Sequence, residues 1–214
     1  PLAEFERTTS TPPLPELMHT LDTAGWGMST SSDARVKWEG GKGKQTSTTL
    51  TATLIVPQVP FLLSTAEVLR DTWADLGFIT TLRPVPPEEV LSSTIKNRDY
   101  DMLLFGNVLN PAEDLSPFWY SSERFSPGLN VSLYNNRKAD ALMEEIREEA
   151  DLATRSEKLK TLHGLIEKDA PATFLYSPEY LFVAAKNVGG VSSRAIANPP
   201  ERFSNIAEWY VKTA

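Results

Sequence analysis

Thr49-Leu50-Thr51-Ala52-Thr53-Leu54-Ile55-Val56 is followed, after Pro57-Gln58-Val59-Pro60, by the long run Phe61-Leu62-Leu63-Ser64-Thr65-Ala66-Glu67-Val68-Leu69-Arg70-Asp71-Thr72-Trp73-Ala74-Asp75-Leu76-Gly77. The first run alternates Thr with Leu or Ala, the period of a strand with one buried face. The second places Leu62, Thr65, Ala66, Leu69, Trp73 and Leu76 on one stripe, the period of an amphipathic helix, and Gly77 ends it. Phe78 to Val85 reads as the next strand. Pro87 to Ile95 reads as a helix opened by Pro and Glu, whose fixed φ and negative charge suit a helix start. Met102 to Phe105 is a short continuous apolar run, which predicts a central strand buried on both faces. Strand, helix, strand, helix, strand from Thr49 to Phe105 predicts an α/β fold with a mostly parallel sheet flanked by helices.

Outward from this stretch, Pro1 to Pro15 reads as an extended lead-in and Pro15 to Ala24 as a short amphipathic helix stopped by Gly25. Ala34 to Trp38 and Ser47 to Val56 read as strands joined by the turn Glu39-Gly40-Gly41-Lys42-Gly43-Lys44-Gln45. Lys138 to Ala150 predicts a helix burying Ala141, Leu142 and Ile146. Thr154 to Lys168 predicts another, burying Leu159, Leu162, Leu165 and Ile166. Ala172 to Tyr176 and Tyr180 to Ala185 read as strands split by Ser177-Pro178. The tail from Val188 is rich in Gly, Ser and Pro and ends on an apolar segment, Ile206 to Val211.

Composition narrows the function classes. The 214 residues carry a formal net charge of −7, and an acidic chain lacks the basic face that nucleic-acid binding needs. There is no cysteine, which excludes disulfides, thiolate metal sites and cysteine nucleophiles. The longest apolar runs are far too short to span a bilayer. The chain opens on Pro1-Leu2 and not on Met, which predicts a processed or excised piece of a longer protein.

Most chemistry-like motifs have plain structural readings. Gly40-Gly41-Lys42-Gly43-Lys44 lacks the phosphate-loop spacing and precedes a strand, so it reads as a turn. His19 and His163 have no convergent ligands beside them, and a metal site needs several. Glu88-Glu89 and Glu144-Glu145 read as solvated helix faces, not as carboxylates flanking a cleft. Asn130-Val131-Ser132 is an N-glycosylation sequon, a triplet common by chance. Neither a nucleophile elbow nor a zinc-peptidase helix motif is present. Glu113 and Asp114 leave two readings open. They form a polar anchor over an aromatic floor of Trp119 and Tyr120, or an Asx-type turn with the aromatics packed inward.

Several motifs in fixed order resemble one family. They are Leu21-Asp22-Thr23-Ala24-Gly25-Trp26, the Thr65 to Gly77 helix, Arg98-Asp99-Tyr100-Asp101 with Phe105-Gly106, Tyr134-Asn135-Asn136 with Asp140 to Leu142, and Asp169-Ala170-Pro171 with Phe174-Leu175-Tyr176. Together the chain resembles the C-terminal lobe of the family 5 extracellular solute-binding proteins, the dipeptide, oligopeptide or nickel-binding components of ABC importers.

The resemblance implies a type II periplasmic-binding-protein-like lobe over residues 1–171. Residues 172–214 would return toward the hinge and an N-terminal lobe. It implies capture of a peptide or other small polar solute outside the cytoplasmic membrane, delivery to ABC permease subunits, no catalysis and no cofactor. A ligand-sensing domain, or less readily an enzyme, could reuse the same lobe. Ligands bind beyond the carboxyl ends of strands in open α/β sheets, so the loop after Phe105 is the expected wall. Its candidate ligand-binding residues are Phe105, Gly106, Asn107, Val108, Asn110, Glu113, Asp114 and Trp119. The family's usual Trp after the strand glycine is replaced by Asn107. The Asp that pairs with a peptide amino terminus in the family is replaced by Asn110, which puts that mode of recognition in question.

Overall fold

The computed structural model describes residues 12–40, 46–107, 114–177, 181–191 and 199–212. The chain divides into two compact units. One holds residues 3–106 with 125–127, and the other holds residues 1–2, 107–124 and 128–214.

The first unit carries the parallel sheet. Strand β4 (Thr51–Pro57) lies between β5 (Ile79–Val85) and β6 (Met102–Leu103), parallel to both. Helix α2 (Pro60–Ala74) crosses from β4 to β5 and packs on both. Its expected stripe faces inward, with Ala66 fully buried against the sheet. Pro60 opens the helix, where a missing N–H costs nothing. Leu54, Ile55 and Val56 are at most 3% exposed. A three-residue helical turn α3 (Pro87–Glu89) runs straight into a π-helix (Val90–Ile95), burying Val90, Thr94 and Ile95.

The centre of the sheet is β4, and Met102–Leu103 sits at the edge. The expectation of a central strand there was misplaced by one position in the sheet. Arg98 has φ +55, so the chain turns sharply before β6. Asp101 then uses its carboxylate, not its backbone, to accept the Thr53 N–H at 2.8 Å. Backbone pairing begins only at Met102 and continues with the Leu104 N–H donating to the Ile55 carbonyl at 2.9 Å.

An antiparallel sheet adjoins it within the same unit: β1 (Gly27–Met28), β2 (Arg35–Glu39) and β3 (Thr46–Thr49), in that order. The single strand expected over Ser47 to Val56 is therefore two strands, broken at Leu50. The Leu50 N–H donates to the Arg35 carbonyl at 2.8 Å, and the Leu50 carbonyl accepts from the Ile79 N–H at 3.0 Å. One residue thus passes the chain from one ladder to the other.

Arg35 fixes that junction. Its side chain is buried, its Nε donates to the Leu76 carbonyl at 2.8 Å, and its Nη1 reaches Asp22 Oδ1 and the Trp26 carbonyl, each at 2.5 Å. Helix α1 (Leu14–Thr23), which supplies Asp22, ends before Gly25 at φ +87, as its stop signal implied. Gly77 lies against the same arginine. It has φ +76, and an added Cβ would stand 2.8 Å from Arg35 Cγ and 2.9 Å from Met28 Sδ.

The second unit is built on helices. α4 (Ser116–Trp119) precedes α5 (Arg137–Glu148) and α6 (Leu152–Asp169). Asn136 caps α5 by accepting the Lys138 and Ala139 N–H groups, and Asp151 caps α6 by accepting from Thr154, which satisfies donors that helix starts leave open. The core is Tyr134, Ala139, Met143, Ile146, Leu162 and Ile166. Leu142, Leu159 and Leu165 pack beside it. Ala141 is exposed, contrary to expectation. The inward face of α5 runs Ala139, Met143, Ile146, and Ala141 falls off that helical stripe.

No strand forms in the described parts of 172–185. A strand needs a neighbour to take its backbone groups, and here Leu181 and Val183 stand 84% and 79% exposed. Further on, β7 (Val188–Gly189) pairs antiparallel with β8 (Tyr210–Val211).

Candidate functional site

The candidate loop begins at the carboxyl end of β6. Phe105 is half-buried, while Gly106 and Asn107 are exposed. The Gly106 hydrogen that a Cβ would replace faces open space, so a side chain fits there. Val108, Asn110 and Glu113 lie outside the described residues.

Asp114 forms an Asx turn. Its Oδ1 accepts the Ser116 N–H at 2.9 Å and the Ser116 hydroxyl at 2.6 Å, which starts α4. Its other oxygen is 3.9 Å from Arg147 Nη1. Partial burial pushes the carboxyl up, but the two Ser116 hydrogen bonds, with Arg147 and Arg155, outweigh it and hold Asp114 below the usual carboxylate range. Asp114 is thus ionised and already engaged within its own unit.

Trp119 packs against the helical core. Its ring meets Tyr134 edge-on at 6.2 Å and Phe174 at 5.8 Å. The inward-packed reading of the aromatics describes both Trp119 and Tyr120. The Tyr120 hydroxyl donates to the Glu144 carboxylate, and that bond, with burial, pushes the phenol up.

A shallow cleft of about 450 Å³ lies in this unit, lined by Asp114, Ser116, Pro117, Tyr120, Ser122, Glu123 and Arg147. Arg147 and Arg155 were not among the sequence candidates. Their signal was faint, because each is one of many charged residues on a charged helix, Arg147 exposed and Arg155 half-buried. Among the described residues, no group of three or more His, Asp or Glu is placed to hold a metal ion. No described helix is long and apolar enough to cross a membrane.

The sequon is spent on the fold. Asn130 is fully buried, its Nδ2 donates to the Tyr120 and Tyr134 carbonyls at 3.0 and 2.9 Å, and its Oδ1 accepts the Tyr134 N–H at 3.0 Å.

With this geometry in hand, the chain can be set beside known proteins. No family model matches it. The oligopeptide-binding protein AppA of Bacillus subtilis (strain 168) is 29% identical over 115 residues, which are 54% of this chain and 20% of that protein. The structure of AppA in complex with a nonapeptide matches 93% of this chain and 37% of its own, with a TM-score of 0.69 and 23% identity. The structure of NikZ from Campylobacter jejuni in complex with Ni(L-His) matches 93% of this chain and 39% of its own, with a TM-score of 0.66 and 18% identity. The chain has the fold of part of a solute-binding protein. It spans about a fifth of AppA by sequence and less than two fifths of either structure. The α/β expectation, the flanking helices and the resemblance read from the motifs are all borne out at this level.

Proposed function

We propose that this chain is the C-terminal lobe of the extracytoplasmic binding component of an ABC importer. In this reading it captures a peptide or other small polar solute and presents it to permease subunits, with no chemistry performed on the ligand. Its place is the periplasm or the cell surface. The observation that carries the reading is sequence similarity to an oligopeptide-binding protein on top of a shared fold. The parallel sheet supports it, because β6 delivers the chain at its carboxyl end into the Phe105 to Trp119 loop, where open α/β sheets hold ligands. Residues 1–171 form the lobe in this proposal. Residues 172–214 run back toward a hinge, and the exposed Leu181 and Val183 are the apolar side chains such a crossing would cover. Lobe closure around the solute is then a hinge motion.

The test is native mass spectrometry of the full-length parent protein purified without denaturation, followed by calorimetry with the solute it releases. A stoichiometric solute recovered unchanged after incubation supports the proposal. Conversion of that solute, or a parent that binds no peptide or polar solute, overturns it.

A further inference from the structure

We propose that the first unit carries a second small-molecule site, on the flank of the parallel sheet, that takes a zwitterion of amino-acid size. The cleft has a volume of about 260 Å³ and is lined by Thr53, Ile55, Arg83 and the turn Arg98 to Asp101. Its floor is firm, since Ile55 is fully buried in the central strand. Arg83 stands on β5 in register with Ile55, so its side chain rises from the strand next to that floor.

The opposite wall is built rigidly. It follows the π-helix, and such helices recur at functional sites. It begins at Arg98, whose left-handed backbone (φ +55) is costly for a residue with a Cβ and persists only where the surroundings enforce it. Arg98 donates to the Ile95 carbonyl. Asp101 is locked to the Thr53 N–H. These bonds leave the turn little freedom to collapse across the cleft.

Two opposite charges remain unspent there. Among the described residues, the side chains of Arg83 and Asp99 make no hydrogen bond or ion pair, with each other or with any neighbour. A guanidinium and a carboxylate held apart over one polar cleft are complementary to a molecule carrying one carboxylate and one ammonium. Arg83 would take the carboxylate through two parallel N–H donors, and Asp99 would accept from the ammonium. Thr53 and Tyr100 also line the cleft. The site is separate from the loop after β6 and does not depend on the importer reading.

The experiment is an NMR titration of the chain with glycine, 4-aminobutanoate and 6-aminohexanoate as zwitterions of increasing span, and with acetate and methylammonium as single-charge controls. The expected result is saturable shifts of the Arg83 side-chain N–H and the Asp99 and Tyr100 amides with one zwitterion, with affinity at least tenfold above either control. Arg83→Gln and Asp99→Asn, both at exposed positions, should each abolish saturation while the remaining spectrum stays unchanged. If Arg83→Gln fails to fold, Asp99→Asn decides alone. Equal response to the controls, saturation that survives Asp99→Asn, or no saturation by roughly 100 mM, about a hundredth of the affinity that a millimolar solute site would show, overturns the proposal.

Discussion

The Tyr134 hydroxyl donates to Asp169 Oδ2 at 2.7 Å, and the same oxygen accepts from Asn136 Nδ2 at 2.6 Å. The residue that ends α6 is thereby tied to the residue that caps α5. Burial first, and the Asp169 bond second, push the Tyr134 phenol up to about 12 from 10.0. The two hydrogen bonds hold Asp169 below its ordinary range.

The signs give a pH prediction. A phenol raised in the folded state contributes stability that is fully present below the unfolded value and is lost as pH rises from about 10 to about 12. Thermal melts should therefore fall across that window in the wild type, and Tyr134→Phe should flatten this part of the profile. A depressed carboxyl works at the other end. Asp169 stabilises above the unfolded carboxylate range, and that contribution is lost as pH falls through its lowered value. Asp169→Asn should weaken the acid dependence. Profiles identical to wild type in both variants would show that the pairing does not contribute.

Asn130 should carry no glycan, even when the protein is secreted from a host that glycosylates sequons. Its amide is buried and bonded on both sides. Asn130→Ala should cost about 2–4 kcal/mol, since it strands two carbonyls and an N–H. Asn130→Asp should cost more at neutral pH, because a carboxylate would face the Tyr120 and Tyr134 carbonyls. Intact-mass measurement and denaturant unfolding check the two halves of this prediction.

These cases show what could be read in the sequence. Helix positions and the parallel order were legible because α2 and α6 bury one face and follow a strict period. The break at Leu50 was not, because a strand leaving one sheet and entering another keeps the same alternation throughout. The edge position of Met102–Leu103 was hidden for a similar reason. Apolar content reports burial, but not whether a second strand pairs on the far side, and among the described strands β6 has only β4 beside it. The sequon misled because Asn130 is defined by what surrounds it. For the candidate site, the Asx turn at Asp114 was one of two readings the sequence left open, because the side-chain partner that decides between them is set by the fold, whereas Arg83 lay unnoticed inside an ordinary strand.

Trp119→Ala should cost about 3 kcal/mol, the scale for emptying an aromatic from a packed core. The ring contacts with Tyr134 and Phe174 motivate the figure. Chemical denaturation of the variant measures it. A loss near zero would place Trp119 on a free surface and return it to the ligand-facing residues.

Ala170 ends α6 in the left-handed region, at φ 47 and ψ 45. Glycine reaches that conformation without the Cβ penalty. Ala170→Gly should therefore stabilise the protein by up to ~1 kcal/mol, less the backbone entropy glycine adds to the unfolded chain. A lowered melting temperature would contradict this account of the cap.

The last prediction concerns Asn110 under the importer reading. By the resemblance read from the motifs, Asn110 stands where an aspartate would pair with a peptide amino terminus. A charge-assisted hydrogen bond is roughly twice as strong as a neutral one, and a buried ammonium facing only an amide keeps much of its desolvation cost. The full-length protein should therefore not depend on a free amino terminus for recognition at this position. Peptides with acetylated and free amino termini should bind within a few-fold of each other, and Asn110→Asp should shift preference toward the free form. Calorimetry on matched peptide pairs, for wild type and variant, measures both effects. Tight wild-type binding abolished by acetylation would mean that another carboxylate of the loop makes the contact, with Glu113→Gln and Asp114→Asn as the variants that tell which.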